Sequence, residues 1–169
     1  MEWKKQKWVV IAIIVGIVIF DQVAKYFAQT VLQYLPGQTY EFIPGFFNFT
    51  YAENTGMAFS MLSNMTWLLA LLSGVLAIIM IWLLYKCRDM KTWLLKLSLS
   101  FIIGGAIGNL IDRVFRGYVV DMLEFDFNFA VFNVADSFVC IGAVLLGIFV
   151  IWFWDKGKKK EVGDEQQAD

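Results

Sequence analysis

Two aspartates occupy positions where a hydrolytic reaction could be run without a metal ion. Asp121 follows a short apolar segment, and Asp136 stands at the start of the last long apolar run. Two facing carboxyl groups cannot easily both ionise, so they share one proton and one acts as a base while the other acts as an acid. A water held between them can attack a peptide carbonyl. These residues predict a candidate carboxylate dyad that needs no metal and no cofactor.

The sequence contains no histidine, and this absence narrows the possible chemistry. It excludes Ser-His-Asp and Cys-His catalysis, histidine-ligated zinc and the HExxH arrangement. Acid–base chemistry near neutral pH must then come from carboxylates, lysine, tyrosine or cysteine. The two cysteines, Cys87 and Cys140, are predicted at different depths, so we expect no disulfide and interpret Cys140 as a small core residue.

Spacing alone does not single out the pair of aspartates. Four other nearby carboxylates are also candidates: Glu53, Asp112, Glu124 and Asp126. Acidic side chains in loops are usually only solvated and have no catalytic role. A Ser–Lys peptidase is a further alternative, with Lys25 as the base for a serine such as Ser60. The residues by themselves therefore leave the catalytic assignment open.

Further polar residues interrupt the apolar runs near one common depth. Asp21 and Lys25 are four residues apart and share a helix face, and Asn109 shares a face with Asp112 and Arg113. Ionisable residues within membrane spans are costly, so they usually face the interior and serve function. Asn54 and Asn133 are predicted at the same depth, just outside the neighbouring spans.

These polar residues have structural interpretations as well as functional ones. Asp21 and Lys25 could form an ion pair from which the lysine reaches outward, or they could contact a substrate directly. For Asp112 and Arg113, a structural role in holding the outer loops is favoured. Gly56 could let the backbone approach a ligand, or it could only form a turn.

Long apolar runs must position these groups. The chain has 169 residues, 59% of them hydrophobic, and a mean hydropathy of +0.63. This composition predicts an all-α integral membrane protein with one membrane domain over 1–155 and a disordered cytoplasmic tail over 156–169. The predicted spans cover about 8–27, 67–85, 94–112 and 134–154.

Lysine and arginine set the predicted orientation. They occur near the N-terminus, in the 86–96 loop and in the tail, whereas about 28–66 contains neither. The positive-inside rule then places both termini in the cytoplasm and the polar cluster at the outer face. Between the first two spans, apolar and polar residues alternate over 47–51. This alternation favours a small extracytoplasmic β-sheet over about 36–60 rather than a plain loop.

Five short motifs, taken together, resemble those of one known family. They cover nearly the whole membrane region and occur in the family's order: Asp21-Gln22-x-x-Lys25, Asn54-Thr55-Gly56-x-Ala58-Phe59, Gly104-Gly105-x-x-Gly108-Asn109-x-x-Asp112-Arg113, Val119-Val120-Asp121 and Phe132-Asn133-x-Ala135-Asp136. The chain resembles the lipoprotein signal peptidases, also called signal peptidase II. Each motif is weak alone, but five in order on four spans are a specific match.

The resemblance implies an aspartic endopeptidase whose catalytic residues are Asp121 and Asp136. The implied substrate is a prolipoprotein, cleaved on the amino side of a diacylglyceryl-modified cysteine. Residues that match positions lining the site are Asn54, Asn109, Arg113 and Asn133. Residues that match supporting polar positions are Asp21, Lys25 and Asp112.

The resemblance also implies the surroundings of the site. The family fold has four helices, an extracytoplasmic sheet between helices 1 and 2, and a mobile outer segment between helices 3 and 4, here about 116–132. It implies a bacterial cytoplasmic membrane, contact with membrane lipid, inhibition by globomycin-type peptides and no nucleic-acid partner. A small proton-coupled transporter or a non-catalytic membrane subunit remains an alternative, although the chain shows no internal repeat.

Overall fold

The computed structural model describes residues 3–56, 65–90, 92–127 and 130–165. Within them lie four long helices: α1 (Trp3–Thr30), α2 (Thr66–Lys86), α3 (Trp93–Phe115) and α4 (Val134–Glu165). Three strands complete the fold: β1 (Thr39–Ile43), β2 (Phe47–Asn54) and β3 (Val119–Phe125). Each helix contains a segment long and apolar enough to cross a membrane, which confirms the four predicted spans.

Helix α3 forms the centre of the bundle, and the other three helices pack around it. Its membrane segment is mostly buried, whereas α1, α2 and α4 expose apolar side chains along most of their length, as helices in contact with lipid do. Glycines allow the closest approach: a Cβ on Gly105 would lie 2.3 Å from the carbonyl oxygen of Ala135 in α4. Small residues at such contacts let two membrane helices pack backbone to backbone.

The strands form one antiparallel sheet in the order β1-β2-β3. The two strands between α1 and α2 agree with the predicted sheet, although residues 57–60 of its predicted range lie outside the described residues. The third strand comes from the connection between α3 and α4, where only an outer segment was predicted. Leu123 of this strand also bridges to Phe132, so the sheet extends to the start of α4.

Two expectations differ from the structure. Helix α4 continues to Glu165, so residues 156–165 are helical where a disordered tail was predicted. Lysine and glutamate are good helix formers, and extending an existing helix costs far less than starting one. Cys140 is exposed rather than a core residue, because it lies where α4 borders the open cavity that is described below. Both cysteines are free thiols in the structure.

Candidate active site

Asp121 and Asp136 come together through a shared asparagine. Asp121 lies in β3 and is buried, and Asp136 lies in the first turn of α4. Asn133 donates its side-chain N–H to Asp121 Oδ1 at 2.6 Å, and its side-chain oxygen accepts the backbone N–H of Asp136 at 2.9 Å. Asn133 thus caps the N-terminus of α4 and ties both acids to one side chain.

Two more asparagines donate to the acids. Asn54, at the end of β2, donates to Asp121 Oδ2 at 2.8 Å, and its own side-chain oxygen accepts the backbone N–H of Gly56 at 2.9 Å. Asn109 of α3 donates to Asp136 Oδ1 at 2.7 Å. The short turn to Gly56 fixes which end of the Asn54 amide faces the acid. The Asp121 carboxyl group is therefore positioned by two asparagine donors, and the Asp136 carboxyl group by Asn109 together with the bond from its own backbone N–H to Asn133.

The two acids open onto one cavity of about 560 Å³. Asn54, Arg113 and Ser137 supply its other polar side chains, and Gly56 contributes backbone. Apolar residues of β3, of 130–132 and of α4 form the rest of its wall. A mostly apolar pocket with a few convergent polar groups is the usual form of a ligand site. The arrangement offers a mostly apolar cavity with two carboxyl groups in its wall.

Arg113 brings a positive charge to this cavity. Its Nη1 lies 3.4 Å from both the Ser73 hydroxyl oxygen and the Asn109 carbonyl oxygen, and its buried Nε has no hydrogen-bond partner among the described residues. The sequence alone favoured a loop-holding role for Arg113, but the side chain lies in the wall of the cavity. A guanidinium with spare donors can bind a carbonyl or carboxylate oxygen.

Beneath the cavity lies a buried charge network centred on Lys25. Its ammonium contacts Asp21 Oδ2 at 2.8 Å, Asp112 Oδ2 at 3.0 Å and Asn109 Oδ1 at 3.2 Å. The side chains of Lys25 and both aspartates are fully buried. An outward-reaching lysine is therefore wrong, because neighbouring helices enclose the ammonium and supply its oxygen partners. This enclosure also disfavours Lys25 as the base of a Ser–Lys pair, and Ser60 lies outside the described residues.

The two network aspartates hold the backbone just before each candidate catalytic acid. Asp21 Oδ1 accepts the N–H of Ala135 at 2.9 Å, and Asp112 Oδ2 accepts the N–H of Val120 at 3.1 Å. Because Lys25 pairs with both carboxylates, one ammonium links the anchors of β3 and α4. Asp112 Oδ1 also accepts hydrogen bonds from Arg116 and Gln22, so the negative charge of Asp112 has two cationic partners, Lys25 and Arg116.

Burial changes the acidity of Asp121. Removal of the carboxyl group from water, followed by the nearby charge of Asp136, raises the pKa of Asp121 to about 6, although donors from Asn133 and Asn54 act against this rise. Asp121 therefore holds a proton to a higher pH than an exposed aspartate. A raised pKa beside a second carboxyl group is the electrostatic condition for sharing one proton.

Some residues of the cavity wall were missed by sequence reasoning. Phe125, Phe132, Val139 and Cys140 line the cavity but were not assigned to it. Val139 and Cys140 lie three and four residues after Asp136, so helical periodicity places them on its face one turn along α4. The helical period could therefore have predicted that these two residues line the cavity. The position of Phe125 could not be predicted, because it depends on strand β3, which the sequence did not indicate.

Comparison with known proteins places the chain among membrane peptidases. Residues 13–152 match the sequence pattern of the family described as Signal peptidase (SPase) II. A lipoprotein signal peptidase of Caldanaerobacter subterraneus is 44% identical over 142 residues, covering 84% of this chain and 95% of the relative. A lipoprotein signal peptidase of Enterococcus faecalis is 43% identical over 141 residues, covering 83% of this chain and 84% of the relative.

Solved structures give the same result at the level of the fold. One structure described as a bacterial membrane enzyme superimposes with a TM-score of 0.75 at 32% identity, covering 85% of this chain and 87% of the other. A second structure with the same description gives a TM-score of 0.72 at 32% identity, covering 84% of this chain and 92% of the other.

Proposed function

Because the chain belongs to the signal peptidase II family, and is thus a multi-pass bacterial membrane protease, we propose that it cleaves prolipoproteins by aspartic catalysis. The proposed substrate carries a diacylglyceryl group on the cysteine that follows the scissile bond. The proposed products are the signal peptide and a lipoprotein that begins with this cysteine. The observation that carries the proposal is the convergence of Asp121 and Asp136 on Asn133 and on one cavity.

The proposed reaction uses one proton shared between the two acids. The ionised carboxylate takes a proton from a water as the water oxygen attacks the scissile carbonyl carbon. The protonated carboxyl group gives its proton to the carbonyl oxygen, which stabilises the tetrahedral intermediate. Collapse of the intermediate breaks the C–N bond, and a proton passes to the amino group of the leaving cysteine. The raised pKa of Asp121, about 6, supports a dyad that retains one proton to a higher pH than ordinary aspartates do.

The polar residues around the dyad receive distinct proposed roles. Arg113 has spare donors and is proposed to bind a carbonyl oxygen of the substrate chain. Asn54, Asn109 and Asn133 orient the carboxyl groups through the hydrogen bonds described above. Gly56 keeps the wall beside Asn54 free of a side chain. Asp21, Lys25 and Asp112 are proposed to hold the backbone that carries the acids.

The distribution of lysine and arginine supports an orientation with both termini in the cytoplasm. The cavity would then open at the outer face, where a lipid-anchored substrate arrives by diffusion within the membrane. Globomycin-type peptides are proposed to inhibit by filling the cavity beside the dyad. Residues 1–155 are proposed to form one membrane domain.

Cleavage by amide variants tests the proposal. Asp121→Asn and Asp136→Asn should each lower the rate of cleavage of a purified lipidated precursor by at least about 100-fold, because each removes one half of the proton transfer. Asp126→Asn is the matched control, since Asp126 is exposed and follows the same strand. Near-normal cleavage by either dyad variant, or a comparable loss in the control, would contradict aspartic catalysis by this pair.

A further inference from the structure

The outer end of the sheet, away from Asp121, is polar on one side and apolar on the other. Nearer Asp121, the side that carries Glu124 also carries Val120 and Met122, which are buried in a cluster with Ala28 of α1. Across the three strands, Asn48 pairs with Glu41 on one side and Glu124 on the other. Phe47 pairs in the same way with Ile43 and Phe125. Since directly opposed residues project from the same side of a sheet, the register separates the carboxylates from the aromatic rings.

The apolar face is the face that carries Asp121. Successive residues of a strand point to opposite sides, so Asp121, Leu123 and Phe125 share one side of β3. Asp121 and Phe125 also line the same cavity, which is independent support for this placement. The apolar face therefore continues directly from the candidate catalytic acid, over roughly 13 Å of strand.

Six phenylalanines on this side form a connected array, which we call the phenylalanine face: Phe42, Phe46, Phe47, Phe49, Phe125 and Phe127. Ring centroids lie 5.4 Å apart for Phe42–Phe49, 5.2 Å for Phe47–Phe49 and 5.2 Å for Phe47–Phe125. Phe125 in turn stacks on Phe127 at 5.2 Å and contacts Phe46 at 5.6 Å. The contacts are continuous from the cavity wall to the outer strand β1.

The outer part of this array is open. Phe42 is 58% exposed and Phe46 is 50% exposed, although each contacts another ring. A contiguous exposed apolar surface beside a cavity is typical of a binding site. The carboxylates of Glu41 and Glu124 project from the opposite side of the sheet, so the outer part of the face, beyond Asp121, presents rings and no charge. A fitting partner is long, flexible and apolar.

We propose that the phenylalanine face binds the acyl chains of the lipid-modified cysteine during cleavage. This inference rests on the proposed function, in which that cysteine lies next to the scissile bond and therefore next to Asp121. Its acyl chains must leave the cavity close to the acid, where the face begins. Chains lifted out of the bilayer to reach the site would otherwise meet water, and the rings provide an apolar surface instead.

Substrates that differ only in acyl length test this inference. The purified protein in detergent is given one lipopeptide with palmitoyl chains and one with octanoyl chains, and KM and kcat are measured for both. The wild type should show a lower KM for the palmitoyl substrate. The double variant Phe42→Ser/Phe46→Ser should reduce this preference by on the order of tenfold, with kcat largely unchanged.

Phe115→Ser is the control, because Phe115 is 82% exposed at the end of α3 and lies off the sheet. It should keep the wild-type preference for palmitoyl chains. Equal loss of activity on both substrates in the double variant would indicate a face that only rests on lipid, and would overturn the inference. Cleavage by the wild type without any preference for chain length would refute the inference alone. Absence of cleavage of either substrate by the wild type would refute the proposed function as well.

Discussion

Replacing Lys25 with methionine should strongly destabilise the protein. Methionine keeps a long unbranched side chain but removes the ammonium from a site where it and two aspartates are fully buried. Asp112 retains Arg116 as a cationic partner, whereas Asp21 loses the cation that contacts it at 2.8 Å. Removing one partner of a buried ion pair costs about 3–5 kcal/mol, because the remaining charge stays buried.

This loss converts into a measurable shift in Tm. For a chain of 169 residues, each kcal/mol lowers Tm by about 2–4 °C, so we expect a fall of about 6–20 °C. Thermal unfolding in detergent, followed by tryptophan fluorescence, measures it. Adding Asp21→Asn to Lys25→Met removes the uncompensated carboxylate and should recover about 1–3 kcal/mol. Lys5→Met is the control on the same helix, because Lys5 is exposed, and it should change stability by less than about 0.5 kcal/mol.

Two results would refute the reasoning. A Tm for Lys25→Met within about 2 °C of the wild type, or equal to that of Lys5→Met, would mean that the ammonium does not hold the network together. A double variant that is less stable than Lys25→Met would mean that Asp21 acts through its bond to Ala135 rather than through its charge pair.

Two further predictions concern pH and packing. Because the pKa of Asp121 is about 6 in the folded protein against 3.8 for an ordinary aspartate, its contribution to stability is full below about pH 4 and is lost as pH rises through 6. Thermal unfolding between pH 4 and 7 should show this decline in the wild type relative to Asp121→Asn, and parallel curves would contradict it. Gly105→Ala should lower stability by about 1–3 kcal/mol or more, since its Cβ would lie 2.3 Å from the Ala135 carbonyl oxygen. Gly147→Ala in α4, with no atom within 4 Å of its Cβ, should leave Tm unchanged or slightly higher; equal effects of the two would refute the packing argument.

The helices were predictable because each depends on a local property of the chain. A run of apolar residues long enough to cross a bilayer identifies a span whatever its neighbours are. Strand β3 was not predictable in this way, because Val119–Phe125 pairs with β2, more than sixty residues earlier. The alternation over 47–51 indicates a strand but does not identify a partner at that separation, so only an outer segment was expected at Val119–Phe125.

The site was predictable as a set of residue types but not as a set of contacts. Depth and helical spacing brought Asp21, Lys25 and Asn109 to one level of the membrane. They could not determine whether Lys25 faces inward, because rotation of α1 about its axis is set by packing against α3. The bonds from Asp21 to Ala135 and from Asp112 to Val120 use backbone donors, which every residue except proline possesses. The side chains of Ala135 and Val120 therefore gave no indication that their backbone N–H groups form these two bonds.

The bond between Asp21 and Ala135 joins the first transmembrane helix to the last. During synthesis, α1 enters the membrane long before the ribosome has produced α4. Until then Asp21 and Lys25, spaced to pair within one helix, must neutralise each other in the nascent chain. The proposed catalytic pair includes Asp136 of α4, so it can be assembled only after translation has passed the final span, and an incomplete copy of the protein would lack it.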